Sequence, residues 1–213
     1  MIAHRATHLF ALLIVVCLLL PSSATANTEP QQLVDSLRAG GYVLYFRHAQ
    51  TDWSQSDRVA GEGSWTSCDP ARMRQLSDEG RATARHVGAA IRRLGIPVHR
   101  VYASEYCRSL QTAELLDVGP VIATRDILNA RAAEFVGGRE MLARTARKRL
   151  STPAPSGTNT VLVAHGNVFL LVAGMRPPEA GSVVVKPLGN GEFKIVGVLT
   201  ADDWSRLGNA HTD

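Results

Sequence analysis

Two histidines and two arginines stand where a chain could use them for chemistry. Arg47 and His48 close the apolar run Tyr42-Val43-Leu44-Tyr45-Phe46, and His165 closes Thr160-Val161-Leu162-Val163-Ala164. Arg108 follows the short run Arg100-Val101-Tyr102-Ala103 by a few residues. Guanidinium forks match the oxygens of a phosphate dianion in bidentate geometry. An imidazole near neutral pH is a competent nucleophile once its attacking nitrogen is unprotonated, and neighbouring arginines disfavour the imidazolium. The same cations attract an anionic substrate and hold a transferring group in line. Brought to one place, the four residues make a phosphate pocket with a nucleophile inside it. His86, His99 and His211 lack such a setting and read as structural or exposed.

The elements around them must bring the four together. The three apolar runs are short and rich in β-branched and aromatic residues, which reads as buried strands. Between them lie helical patterns. One is capped by Ser77, carries Ala84, Val87, Ala90, Ile91 and Leu94 on one face, and is stopped by Gly95 and Pro97. A second bears Arg108, with Ser104 expected as its cap. A third, basic, spans 137–150, and a short one follows His165. A weak strand is expected near Val121-Ile122, and a closing hairpin turns at Gly189-Asn190-Gly191. Strands alternating with helices predict an α/β fold, a three-layer sandwich around a mostly parallel central sheet. Ligands of such sheets gather at the carboxyl ends of the strands, which is where these residues stand. The polar segment 52–74, with Trp53 and Trp65, reads as a long functional loop. The two tryptophans suit loop anchors or sugar-stacking platforms. Arg72 or Arg74 on that loop could touch substrate.

Here the sequence resembles a known family. Arg47-His48-Ala49-Gln50-Thr51 is similar to the R-H-G/A-x-T/S signature of the histidine phosphatase superfamily, the phosphoglycerate mutase-like fold. The run from Ser104 to Ala113 resembles its S-x-x-x-R-x-x-x-T-A block, and Val163-Ala164-His165-Gly166-Asn167 its third. The resemblance implies that His48 becomes phosphorylated while Arg47, Arg108 and His165 hold the phosphoryl oxygens. Thr51 and Gly166, inside the first and third blocks, join the substrate-binding set. Leu76 to Arg81 and the pair Cys107-Arg108 resemble small exported members, including lipopolysaccharide-core heptose phosphatases. Three departures stand out. Ala49 replaces the signature glycine, Ser54 replaces a downstream asparagine, and His165-Gly166-Asn167 lacks the His-Asp proton donor of the acid phosphatase branch. A leaving alkoxide needs a proton. The resemblance points to Glu134 as its donor, with Asp52 next.

Composition agrees with one exported domain. His4, Arg5 and His8 precede an apolar run of 12 residues, then Ala24-Thr25-Ala26. That describes a secretory signal peptide over 1–26, with the phosphatase-like domain over 27–213. The run is too short for a membrane span, so no stable span is expected after cleavage, and the mature chain is expected in the periplasm or secreted. Loss of Arg5 with the leader lowers the formal net charge from +4 to +3. This excludes nucleic acid as an evident partner and suits a phosphorylated small molecule, an envelope sugar phosphate or a phosphoprotein. Cys68 and Cys107 remain, free to form a disulfide or to stay as buried thiols. No zinc spacing and no Cys-x5-Arg phosphate loop is present. No metal or other cofactor is implied, since arginines supply the positive charge. A phosphomutase and a non-catalytic binder of phosphate or lipopolysaccharide are the alternatives.

Overall fold

A computed structural model describes residues 29–210. The leader expected over 1–26 lies outside the described residues. In chain order the elements are α1 (Pro30–Ala39), β1 (Val43–Arg47), α2 (Asp78–Arg93), β2 (Val98–Ser104), α3 (Cys107–Leu116) and β3 (Val121–Thr124). Then come α4 (Gly138–Ser151), β4 (Asn159–Ala164), α5 (Gly166–Ala173), β5 (Ser182–Gly189), β6 (Glu192–Leu199) and α6 (Ala201–Ala210). The sheet runs β3-β2-β4-β1-β5-β6, parallel across its first four strands and antiparallel through the closing hairpin β5–β6.

Side chains alternate across the sheet with the period of two that a pleated strand imposes. Val43 and Tyr45 of β1 enter one core layer with Leu142, Ala146 and Leu150 of α4 and Val168, Phe169 and Val172 of α5. Leu44 and Phe46 enter the opposite layer with Leu33, Val34 and Leu37 of α1, Val87 and Ile91 of α2, and Trp204 of α6. That two-sided burial explains why β1 and β4 read as unbroken apolar runs. The expected three-layer sandwich is the observed one. At the edge of the sheet away from the site, the buried Asn159 accepts from Tyr42 N and donates to Leu37 O and Pro97 O. One amide thus satisfies three segments whose backbone groups would otherwise be buried unpaired.

Two local readings change. Ser104 does not cap the helix bearing Arg108: it ends β2, Tyr106 stands at the cap position without a side-chain bond, and α3 begins at Cys107. The Ser104 hydroxyl is turned to His165 instead. Helix α6 is an addition. Its start was legible in Thr200-x-x-Asp203, where each side chain bonds the other residue's backbone N–H.

The long loop 52–76 is closed at its base. Asp52 N donates to Gln75 O, and Ser77 N donates to Gln50 O. Its middle is pinned by a disulfide between Cys68 and Cys107 and by Trp65, fully buried, whose indole N–H donates to Glu105. Of the two tryptophans, Trp65 is the anchor. Trp53 stays 67% exposed. Among the described residues no helix is long and apolar enough to cross a membrane.

Candidate active site

Strand register assembles the site. β4 lies between β1 and β2, and Arg47 pairs with Ala164 while Ala103 pairs with Val163. Arg47-His48, Ser104 and His165 therefore leave the sheet at one edge, side by side. α3 then returns Arg108 over that edge. The pocket so formed is lined by Arg47, His48, Thr51, Arg108, His165 and Gly166, six of the residues that stand out in the sequence. The rings of His48 and His165 meet edge to face, 5.4 Å between centroids.

The backbone around His48 is held on both sides. His48 N donates to Ala164 O at 2.9 Å, and Ala49 N donates to the Thr112 hydroxyl, which itself donates to Arg108 O. Thr112, visible in the sequence only as part of a motif, thus locks α3 to the turn carrying the imidazole. The Ala49 methyl is buried against Leu76, Ala84 and Ala180, so the missing signature glycine leaves no gap. Gly80 of α2 lies so close that a Cβ there would stand 2.1 Å from Gln50 O.

His48 Nδ1 lies 2.8 Å from Ala49 O. A carbonyl can only accept, so Nδ1 carries the proton and Nε2 keeps its lone pair. Arg108 Nε donates toward that nitrogen at 3.3 Å. Burial first, and the Arg108 charge next, depress the imidazole to about 3. At neutral pH His48 is uncharged, with the lone pair on Nε2 toward the pocket. His165 is likewise held well below its ordinary value, by burial and then by Arg108. Its Nε2 meets the Ser104 hydroxyl at 2.9 Å and Ser109 at 3.5 Å, and its buried Nδ1 has no protein partner. Arg47 is steadied by Glu179 at 2.6 Å. Its side chain passes Gly166, where a Cβ would sit 3.3 Å from Arg47 Cδ.

Arg74, Arg131, Arg176, Asn129, Asn167, Trp53 and Asp57 complete the wall. Arg74 is one of the two loop arginines expected to reach substrate; the other, Arg72, lines a different pocket. Trp53 stacks under Arg74, whose guanidinium carbon lies 4.1 Å from the ring centroid. Asn129 and Asn167 bond each other through their amides at 2.8 Å. Nothing in their local sequence sets Asn129, Arg131 or Arg176 apart from surface residues. Chain folding alone brings them in. Five arginines therefore face one carboxylate, Asp57, which suits a dianion. Among the described residues no cluster of His, Cys, Asp or Glu suited to a metal ion is found.

The two expected proton donors stand elsewhere. Glu134 lies exposed on the 3-10 turn Ala130–Val136 and does not line the pocket. Asp52 faces a neighbouring groove, held by Ser54 and Gln55, whose hydrogen bonds lower its pKa. Ser54, in the place of the family asparagine, is engaged there with Asp52 and is absent from the pocket wall.

Comparison with known proteins agrees with this geometry. The family model of the histidine phosphatase superfamily (branch 1) matches residues 43–141, the span holding the first two motif blocks. No curated protein matches the chain. Among solved structures it is similar to a phosphoserine phosphatase of Entamoeba histolytica bound to 3-phosphoglyceric acid (12% identity, TM-score 0.52, 76% of this chain and 98% of that one). It is also similar to the protein histidine phosphatase SixA complexed with tungstate (14%, 0.50, 76% and 98%) and to a protein of Thermus thermophilus (19%, 0.50, 75% and 99%). At these identities the likeness is one of fold. Residues 43–141 thus match the histidine phosphatase superfamily (branch 1), and they are carried on the fold of these structures.

Proposed function

We propose that this chain is an exported phosphomonoesterase that works through a phosphohistidine on His48. The observation that carries the reading is the His48 tautomer. Ala49 O holds the proton on Nδ1, so the Nε2 lone pair is directed into a pocket of five arginines. The phosphate dianion binds to Arg47 and Arg108, and His165 Nδ1–H, free of protein partners, donates to a third oxygen. Ser104 and Ser109 hold the His165 tautomer from behind by serving Nε2. Nε2 of His48 attacks phosphorus in line, the ester oxygen departs, and water then hydrolyses the phosphoramidate. Fixed donors placed where charge develops supply most of the acceleration in such reactions. The alcohol half of the substrate would meet the exposed Trp53 at the mouth, which favours a phosphorylated sugar of the envelope.

The leader expected over 1–26 supports export and a mature start near Asn27, which N-terminal sequencing of the exported protein checks. The mechanism is tested by labelling with a phosphorus-32 ester followed by an alkaline quench, because a phosphoramidate survives base and is lost in acid. His48→Ala should abolish label and turnover together, and Arg108→Ala should lower turnover about 10²-fold or more. Full activity of His48→Ala would end this reading.

A further inference from the structure

Both halves of a phosphohistidine cycle move a proton beside the phosphoryl group, yet Glu134 and Asp52 lie off the pocket. Asp57 does not. Its carboxylate is the one acidic side chain in the wall, and the side chain is only 8% exposed. Arg108 grips it with Nη1 at 2.8 Å and Nη2 at 3.4 Å, while Nε of the same guanidinium reaches His48 Nε2. Arg131 adds a contact of 2.8 Å and also holds the Asp57 carbonyl, and Arg74 approaches within 3.7 Å. The Tyr106 ring lies beneath Arg108, 4.6 Å from its guanidinium carbon. One planar guanidinium thus links the nucleophile to the carboxylate, and the fork that should take phosphate is already full.

We propose that Asp57 is the acid–base residue of the cycle, released from its guanidinium cage by the substrate phosphate. The proposal rests on the phosphohistidine reading above. A dianion arriving at Arg108 competes for the fork and sets a second negative charge against Asp57, which favours uptake of a proton from solvent. Nε2 of His48 forms its bond to phosphorus, the bond from phosphorus to the ester oxygen breaks, and that oxygen takes the Asp57 proton. Water enters from the side the alcohol left. Its oxygen bonds phosphorus, its proton passes to the Asp57 carboxylate, and the electrons of the N–P bond return to Nε2. Phosphate departs, the carboxylate loses its proton to solvent, and the cage re-forms. The closed fork also gives Arg108 a counter-charge between turnovers.

The test pairs equilibrium binding with kinetics on the mature chain, using inorganic phosphate as the probe. Asp57→Asn removes the competing charge and should bind phosphate about tenfold more tightly at pH 7, a free-energy gain of about 1.4 kcal/mol. The same change should lower kcat about 10²-fold or more. An alkyl phosphate should suffer more than a nitrophenyl phosphate in forming the phosphoenzyme, and label should accumulate on His48. A merely structural residue would not tighten binding while slowing turnover. Asp57→Ala, with circular dichroism as the check on folding, separates the roles further. If both variants fold yet lose phosphate binding, Asp57 is a strut for Arg108 and the proposal falls. It falls equally if Asp57→Asn turns over at the normal rate with unchanged phosphate affinity. Absence of label from the unmodified chain under alkaline quench is a different result: it sinks the phosphohistidine reading, while the competition between Asp57 and phosphate is still read by binding.

Discussion

Opening the Cys68–Cys107 bridge should cost about 4 kcal/mol of stability and reach the site before it reaches the core. The bridge closes a loop with a sequence separation of 39. The chain-entropy treatment gives roughly 13 cal/mol/K for a loop of that length, or about 4 kcal/mol at 25 °C, freed to the unfolded chain on reduction. At about 2.1 cal/mol/K of unfolding entropy per residue, a domain of this size should then melt about 10 °C lower. Location matters as much as magnitude. Cys107 is the first residue of α3 and the neighbour of Arg108, while Cys68 sits on the loop that also delivers Asp57 and Arg74. Reduction therefore frees the loop from the helix that carries Arg108. The assay is calorimetry and turnover on the mature chain, oxidised and reduced, beside the double variant Cys68→Ser, Cys107→Ser. Cys107 is buried, so its serine adds the cost of an unpaired hydroxyl, and the reduced native chain gives the cleaner number. A melting shift under about 2 °C with turnover retained would refute the reasoning, because it would mean the loop is held without the bridge.

Two further perturbations probe the frame of the pocket. His48 and His165 are kept neutral by the fold, with folded values below the unfolded value of about 6.5. Their contribution is therefore complete above about pH 6.5 and is lost as pH falls toward His48's value of about 3, at up to about 1.4 kcal/mol per pH unit for each imidazole. Denaturant midpoints at pH 7.5 and 5.5 should differ by roughly 2–3 kcal/mol in stability, with His48→Gln removing about half; a flat profile would contradict the buried neutral pair. Gly80→Ala should cost about 1–3 kcal/mol, because its methyl would meet Gln50 O at 2.1 Å, and should slow turnover by moving Thr51. Gly88→Ala, equally tight against Leu116 O, should cost similar stability and leave turnover nearly intact, since that contact lies between α2 and α3.

Much of this molecule was legible from sequence. The apolar runs that became β1 and β4 are buried on both faces, so composition alone marked them, and the capping serine Ser77 bonds Gly80 N as its spacing implied. Local rules failed at Ser104, because a hydroxyl beside a buried imidazole gains more by satisfying it than by capping a helix. They also missed Asp57, one polar residue in a polar loop, whose neighbours in space lie at positions 74, 108 and 131.

The sequence by itself determined the α/β class, the order of strands and helices as far as the closing hairpin, and the placing of His48, Arg47, Arg108 and His165 at or just beyond strand ends, because period-two burial and chemically distinct side chains there are local signals. It left Cys68 and Cys107 open between bridge and thiols, and it could not say which carboxylate shares the pocket. Tertiary structure decided both. The loop 52–76 folds back across the sheet edge, the disulfide ties it to α3, and Asp57 rather than Glu134 or Asp52 comes to rest in the arginine fork. Partners far apart in sequence meet only through strand register and loop closure, and neither is written in the residues on either side of them.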